Sequence, residues 1–154
     1  MTAQKWLMKT EPTTYSIDDL ARQGVTPWEG VRNYQARNFM RDSMHVGDAV
    51  FLYHSNTSIP GIVGLGEVAS EAYPDYFAWD PDSKYWDPRS TPENPVWYMV
   101  DIQFHRKLPS VVSLHTLKKD ARLNGMMVVQ KGSRLSVQPV TPDDFEYIME
   151  RYIV

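Results

Sequence analysis

At 154 residues the chain is long enough for one domain, burying roughly 70% of the surface it would expose when unfolded. With no cysteine it has no disulfide, thiolate metal site or cysteine nucleophile, and no apolar run approaches the length of a membrane span. The net charge of −3 argues against a protein coated in basic residues, but the charge is unevenly spread. Residues 71–101 hold seven acids and two bases, whereas residues 102–134 hold seven bases against the single acid Asp120. Residues 31–41 add three arginines and no acid. Such asymmetry is compatible with a local phosphate-facing patch on an acidic protein.

In chain order, Met1 to Lys5 shows no signal-peptide pattern and leads straight into a strand over Lys5 to Lys9. The expectation is therefore a soluble intracellular protein. Trp6 and Met8 fall on one face of that strand and Leu7 on the other, and Pro12 ends it. Ser16 caps a short helix with Asp19 at its third position, Gly24 stops it, and Ile17, Leu20 and Ala21 form its inner face. Asn33 caps a second helix running to about Asp42, with Ala36, Phe39, Met40 and Ser43 inward and Tyr34, Arg37 and Arg41 on another face.

Val46-Gly47-Asp48 turns into an apolar strand over Ala49 to Tyr53, where alternation puts Tyr53 and Ser55 with Phe51 and His54 opposite. Gly61, Gly64 and Gly66 follow in GxxGxG spacing with no helix after them, so they read as kinks in a coiled strand rather than a phosphate loop. Residues 72–95 carry five prolines and six aromatics, a loop whose rings need surfaces to cover and which is therefore ordered. Val96 to Phe104 returns to strand, Ser113 caps a helix to about Ala121, and Gly125 to Arg134 is a basic loop. Leu135 to Val140 is the last strand, and Thr141-Pro142-Asp143-Asp144 opens a terminal helix packed through Phe145, Ile148, Met149 and Tyr152. These elements do not alternate as βαβ units, and five or six coiled strands with three or four short helices make an α+β barrel or half-barrel in one domain, residues 1–154.

The four histidines, His45, His54, His105 and His115, have no metal-ligand spacing, so no metal and no cofactor is expected. His54 and Ser55 are adjacent on a strand and point to opposite faces, which defeats a serine–histidine pair. Binding has more support. Strand ends bearing Lys9, Glu11, Tyr53, Ser55, Ser136 and Gln138 can line one mouth of a small barrel, closed by Trp28 and Asn33. Apolar walls with a few polar groups suit a planar ligand such as a flipped base.

The stretch Trp28-Glu29-Gly30-Val31-Arg32-Asn33-Tyr34-Gln35-Ala36-Arg37-Asn38 resembles the signature of EVE-domain proteins, a PUA-like family. Trp6 to Pro12, Tyr53 to Asn56, Lys84-Tyr85 and Leu135 to Val140 match the family in the same order, with Thr10 where a serine is more usual and Trp86 where a tyrosine is. The resemblance implies a PUA-like β-barrel flanked by helices and a nucleic-acid partner, DNA or RNA, carrying a modified base. It gives Trp28 as a stacking wall, Tyr34, Tyr53 and Tyr85 as further aromatics, and Asn33 and Ser55 as readers of base edges. Lys9 and Glu11 shape the rim, and His54 and Ser136 are counted among the base-binding residues. Arg32 and Arg37 meet phosphates, and the basic 102–134 segment adds Lys131 and Arg134 as further phosphate contacts. The expected protein is a cytoplasmic monomer, nuclear in a eukaryote. Two other readings stay open. One is an enzyme on a small nucleobase or nucleotide-like substrate, with Glu11 or His54 as its base. The other is a protein-interaction module built on the 72–95 loop.

Overall fold

The frame of the molecule is a six-stranded mixed sheet in a computed structural model that describes residues 4–153. The reading of the extreme N-terminus, Met1 to Ala3, lies outside the described residues. The sheet comprises β1 (Lys5–Thr10), β2 (Val25–Pro27), β3 (Ala49–His54), β4 (Gly61–Val68), β7 (Asp101–Ser113) and β8 (Val137–Val140). Their order is β2-β7-β4-β3-β1-β8. A separate two-stranded ribbon pairs β5 (Tyr73–Pro74) with β6 (Tyr98–Met99). The helices are α1 (Ile17–Gln23), α2 (Tyr34–Asn38), α3 (Leu114–Lys119) and α4 (Pro142–Ile148).

Within the six-stranded sheet all neighbours run antiparallel except β1 and β3, which run parallel from Lys5↔Ala49 to Thr10↔His54. The sheet curls into a half-barrel. The β4–β7 ladder breaks register between Ile62 and Gly64 and between Leu65 and Gly66, irregularities of the kind that let a sheet curl. A Cβ on Gly66 would sit 2.6 Å from the Gln103 carbonyl oxygen, so β7 can cross this close only over a glycine.

Strand alternation divides the apolar side chains between two cores. Trp6, Met8, Val50 and Leu52 face Ile17, Trp28, Val31, Ala36 and Met40. Leu7, Phe51, Tyr53 and Ile62 face Leu117, Leu123, Val128, Phe145 and Ile148. Both faces of the middle strands are therefore covered, which is why Ala49 to Tyr53 reads as an unbroken apolar run.

The helix starts expected from the sequence are present. The Ser16 side chain and Asp19 form a reciprocal capping box, and the Asn33, Ser113 and Thr141 side chains each cap the following helix.

Other details differ. Ala21 is exposed, because seven residues of α1 bury only Ile17 and Leu20. The Asn33 helix changes pitch after Asn38 into a wider π turn over Phe39–Ser43, though Ala36 and Met40 still face the core. The strand expected over Val96 to Phe104 is split at Val100, and its second part extends to Ser113, through a Pro109 that falls where the β4–β7 ladder is interrupted. The basic loop holds a 3₁₀ turn at Met127–Val129 that buries Val128.

Asp48 passes unnoticed in the sequence, yet it is buried and accepts from Trp6 Nε1 at 2.9 Å, His45 N at 2.9 Å and Gln4 N at 3.1 Å. Three donors on one carboxylate pin the start of β1 beside the start of β3.

Phe51 and Phe145 stack with centroids 4.1 Å apart, joining the sheet to α4. Phe51→Ala is expected to lower stability by about 3–5 kcal/mol in urea unfolding, as for other fully buried aromatics. A loss under about 1 kcal/mol would mean that this pair does not anchor the terminal helix.

Candidate functional site

Beyond β2 the chain keeps its pairing for one more residue, Trp28 N donating to the Val100 carbonyl at 2.9 Å, and then turns away from the sheet. The turn is made at Gly30, whose φ of +84° suits glycine and whose N–H points at Asp75 Oδ2, 2.9 Å away. A Cβ on Gly30 would also run into the Tyr85 ring, which lies against this backbone.

Asp75 has no exposed surface and accepts three hydrogen bonds, from Gly30 N, Arg32 Nη1 (2.9 Å) and Phe77 N (3.0 Å). Arg32 in turn donates to the Tyr85 carbonyl through Nη2 at 2.7 Å. The signature turn and the proline-rich loop are thereby fixed to each other through one carboxylate and one guanidinium.

Between them and the end of β1 lies a cavity of about 300 Å³. Trp28, Glu29, Gly30, Val31 and Arg32 of the signature turn and Lys84 and Tyr85 of the proline-rich loop line it. Lys9, Thr10 and Glu11 at the end of β1, Ser136 just before β8, and Thr14 and Tyr15 ahead of α1 complete the rim. Trp28 is only 7% exposed, with Tyr15 edge-on to its ring at 6.2 Å, so it offers the cavity a rigid margin of indole.

Two ionisable groups here are displaced in opposite directions. Burial raises the Glu29 carboxyl above its ordinary value, and the Asp75 charge adds to this, while its own backbone N–H and Lys84 act the other way. Burial lowers the Lys9 ammonium, which donates to the Ser133 carbonyl at 3.3 Å and lies 5.6 Å above the Tyr53 ring. At these two positions burial thus disfavours the charged form, while both groups keep their hydrogen-bonding capacity.

The residues chosen from the sequence divide into two groups. Lys9, Glu11, Trp28, Arg32, Tyr85 and Ser136 line the one cavity. Asn33, Tyr34, Tyr53, His54, Ser55, Arg37, Lys131 and Arg134 do not line it, for reasons that differ from residue to residue. Asn33 Oδ1 is held by the Ala36 N–H as the cap of α2. Tyr34 lies outside, stacked on Trp97 at 4.9 Å. Tyr53, 2% exposed, belongs to the second core behind Lys9, and the Ser55 N–H pairs with the Thr10 carbonyl at the strand ends.

His54 Nε2 accepts from the Ile17 N–H at 3.0 Å, so its lone pair is taken and it cannot serve as a base in the cavity. Burial is the main cause that lowers its pKa, opposed by Asp18 and reinforced by Lys107. It faces a separate crevice of about 10 Å³ beside Trp28.

Arg37 donates to the Val96 carbonyl at 2.8 Å and to Asn38 Oδ1, and Arg32 makes four hydrogen bonds to Asp75, Tyr85 and Val31. Both arginines hold the walls together rather than presenting a bare guanidinium to a phosphate. Lys131 and Arg134 are exposed on the loop that leads to Ser136.

Sequence reasoning missed Glu29 and Asp75. Glu29 sits between Trp28 and Gly30, the densest polar–aromatic stretch of the chain, and that position is a signal for it. Asp75 has none, being one of seven acids in residues 71–101. Among the described residues no group of histidines and acids could hold a metal ion, and no helix is long and apolar enough to cross a membrane.

The half-barrel with short flanking helices defines a PUA-type architecture. The YTH domain of a Zygosaccharomyces rouxii protein, solved with N6-methyladenosine RNA, shares this fold at 14% identity, with a TM-score of 0.55 over 99% of this chain and 88% of that one. Residues 4–151 match the model of the EVE domain, and the chain belongs to the EVE domain family.

Human thymocyte nuclear protein 1 is 40% identical over 162 residues, which cover 94% of this chain and 72% of the human protein. A structure of the human protein in complex with DNA containing 5-methylcytosine superposes with a TM-score of 0.89, covering 96% of each chain. A crystal structure of a Pseudomonas syringae protein, 49% identical, reaches a TM-score of 0.91 over 95% of this chain and 97% of that one.

Glu29 makes a stability prediction with a definite sign. Because its folded pKa is raised, ionisation costs the folded state more than the unfolded one, and stability falls as pH rises from the ordinary carboxylate range through the raised value. Glu29→Gln is therefore expected to raise the melting temperature at pH 7, with the gain vanishing below the ordinary carboxylate range. A gain that is constant with pH would refute the assignment.

Proposed function

We propose that the chain is a non-catalytic module that takes a modified base of DNA, flipped from its stack, into the cavity between Trp28 and Tyr85. What carries this reading is the chemistry of the cavity. Its aromatic surface comes from two segments tied together through Asp75 and Arg32, its volume is near the lower end for a small-ligand site, and burial disfavours the charged forms of Glu29 and Lys9 in its lining. The relative solved with 5-methylcytosine DNA supplies the ligand class.

A cytosine presents an exocyclic amine as donor and a ring carbonyl as acceptor. In this reading Glu29 accepts from the amine and Lys9 or Ser136 donates to the carbonyl, all three being in the cavity's lining. Pro27, Val31 and the two rings offer apolar contact for a 5-methyl group. Unstacking the base costs a few kcal/mol, which stacking and edge hydrogen bonds offset. Lys131 and Arg134 would meet phosphates from the loop that Lys9 ties down through Ser133. The same reading makes the protein a monomer that works wherever its nucleic acid is, in the cytoplasm or in a nucleus.

Trp28 belongs to the first core, so its removal would confound binding with unfolding, and Tyr85 is the better probe. Tyr85→Ala is expected to weaken binding of a single-stranded oligonucleotide carrying one 5-methylcytosine by about 1–3 kcal/mol while the protein stays folded. Mass spectrometry after incubation should return the oligonucleotide unchanged. A product formed by wild type but not by Glu11→Gln or Glu29→Gln would make the protein an enzyme.

Removing Lys131 and Arg134 is expected to lower the slope of log affinity against log salt by up to about 0.7–0.9 for each phosphate that is no longer neutralised. An unchanged slope would take this loop out of the interface.

A further inference from the structure

The cavity is not the end of the aromatic surface. Across Tyr85 lies a second depression of about 410 Å³, and Arg32, Lys84 and Tyr85 belong to both. The second one adds Trp86, Asp87, Arg89 and Trp97, so its lining holds three cations and one carboxylate.

Trp86 is 48% exposed, yet its backbone is held fast. Its N–H donates to the Ser83 carbonyl at 3.1 Å, the Asp87 N–H to the Ala78 carbonyl at 2.7 Å, and Trp97 Nε1 to Asp87 Oδ2 at 2.8 Å.

The neighbouring rings are all occupied. Tyr34 stacks on Trp97 with the Arg37 guanidinium 4.9 Å from its centroid, and Arg32 lies 5.5 Å from Tyr85 and 5.4 Å from Trp97. Trp86 has no ring or cation partner among the described residues. A single exposed apolar side chain needs no explanation. An unpartnered indole on a pinned backbone, beside cations and sharing a wall with a base-sized cavity, does.

Resting on the function proposed above, we infer that this depression is a second nucleotide subsite. It takes the nucleotide next to the base held in the first cavity. That neighbour's base stacks on Trp86, and Lys84 and Arg89 meet the phosphate between the two. Arg32, whose hydrogen bonds are made within the wall, acts only as the spacer between the subsites. Lys84 has no ion-pair partner among the described residues, and the Arg89 side chain, though paired with Asp87, is largely exposed. The unit recognised is therefore at least a dinucleotide step of an unpaired strand, and sequence context on one side of the modified base influences affinity.

Calorimetric titration of wild type with 5-methyl-2′-deoxycytidine, and with the two dinucleotides that add one thymidine on its 5′ or its 3′ side, tests this. One dinucleotide is expected to bind roughly 5- to 150-fold more tightly than the nucleoside, the span of one base–aromatic stack. Trp86→Ala should remove the stacking part of that advantage, leaving only what Lys84 and Arg89 gain from the phosphate, without changing nucleoside affinity or the melting curve, and Trp86→Phe should restore most of what is lost. Nucleoside binding with neither dinucleotide favoured, or an advantage undiminished by Trp86→Ala, overturns the second subsite and leaves the first cavity standing. Failure of wild type to bind any of the three overturns both.

Discussion

The carboxylate of Asp75 is the joint on which the site depends. It is fully buried, and a buried charge persists only with a counter-charge and enough donors, which the Gly30 and Phe77 N–H groups and the Arg32 guanidinium provide. Each partner belongs to a segment that has little reason to be rigid alone. The Trp28–Arg32 turn has left the sheet, and the loop around Tyr85 has only a short ribbon and one 3₁₀ turn to support it. Taking away one partner of such a pair strands the other charge, so the arrangement is cooperative: both walls stand or neither does.

That joint also explains why the arginines of the signature are not where a basic stretch would suggest. A guanidinium has five donors in a planar fork, which suits phosphate but equally suits a carboxylate and carbonyl oxygens inside a wall. Arg32 and Arg37 satisfy backbone carbonyls at Tyr85 and Val96 that no strand partner reaches, and they cover the faces of Tyr34, Tyr85 and Trp97. Positive charge in the sequence thus became structural adhesive in the fold. Cations that stay exposed near the site are Lys84, Arg89, Lys131 and Arg134.

How much of this could be read in advance depended on whether the deciding interactions were local. Helix caps were legible because Ser16, Asn33, Ser113 and Thr141 act within three residues of themselves. The strand faces were legible because alternation is a property of the strand alone, and it placed Trp6 and Leu7 in opposite cores. Six of the residues singled out for the site do share one cavity, since the resemblance supplied segments distant in sequence that periodicity cannot bring together. Tyr53 and Asn33 were misplaced for opposite reasons. Tyr53 ends a strand that is covered on both faces, so its ring had nowhere to go but the core. Asn33 had one side-chain oxygen and two possible uses, and the helix start took it. Asp75 and Asp48 were invisible because, besides one local N–H each, from Phe77 and His45, the donors that make each a buried joint lie more than forty positions away, and a local turn alone does not mark burial.

The parallel pairing of β1 with β3 has a topological consequence of its own. Parallel neighbours cannot be joined by a hairpin and need a crossover of a dozen or more residues. Here that crossover is residues 11–48, and it carries α1, β2, the Trp28 turn and α2. The facing wall comes from another excursion, residues 69–100, which also leaves the six-stranded ladder and returns to it. Most of the cavity's lining is thus concentrated in two detours whose length and composition can drift while the strand register stays intact. Members of the family should then diverge most within these two intervals, and exchanging the intervals between members should carry the cavity's lining across without refolding the half-barrel beneath.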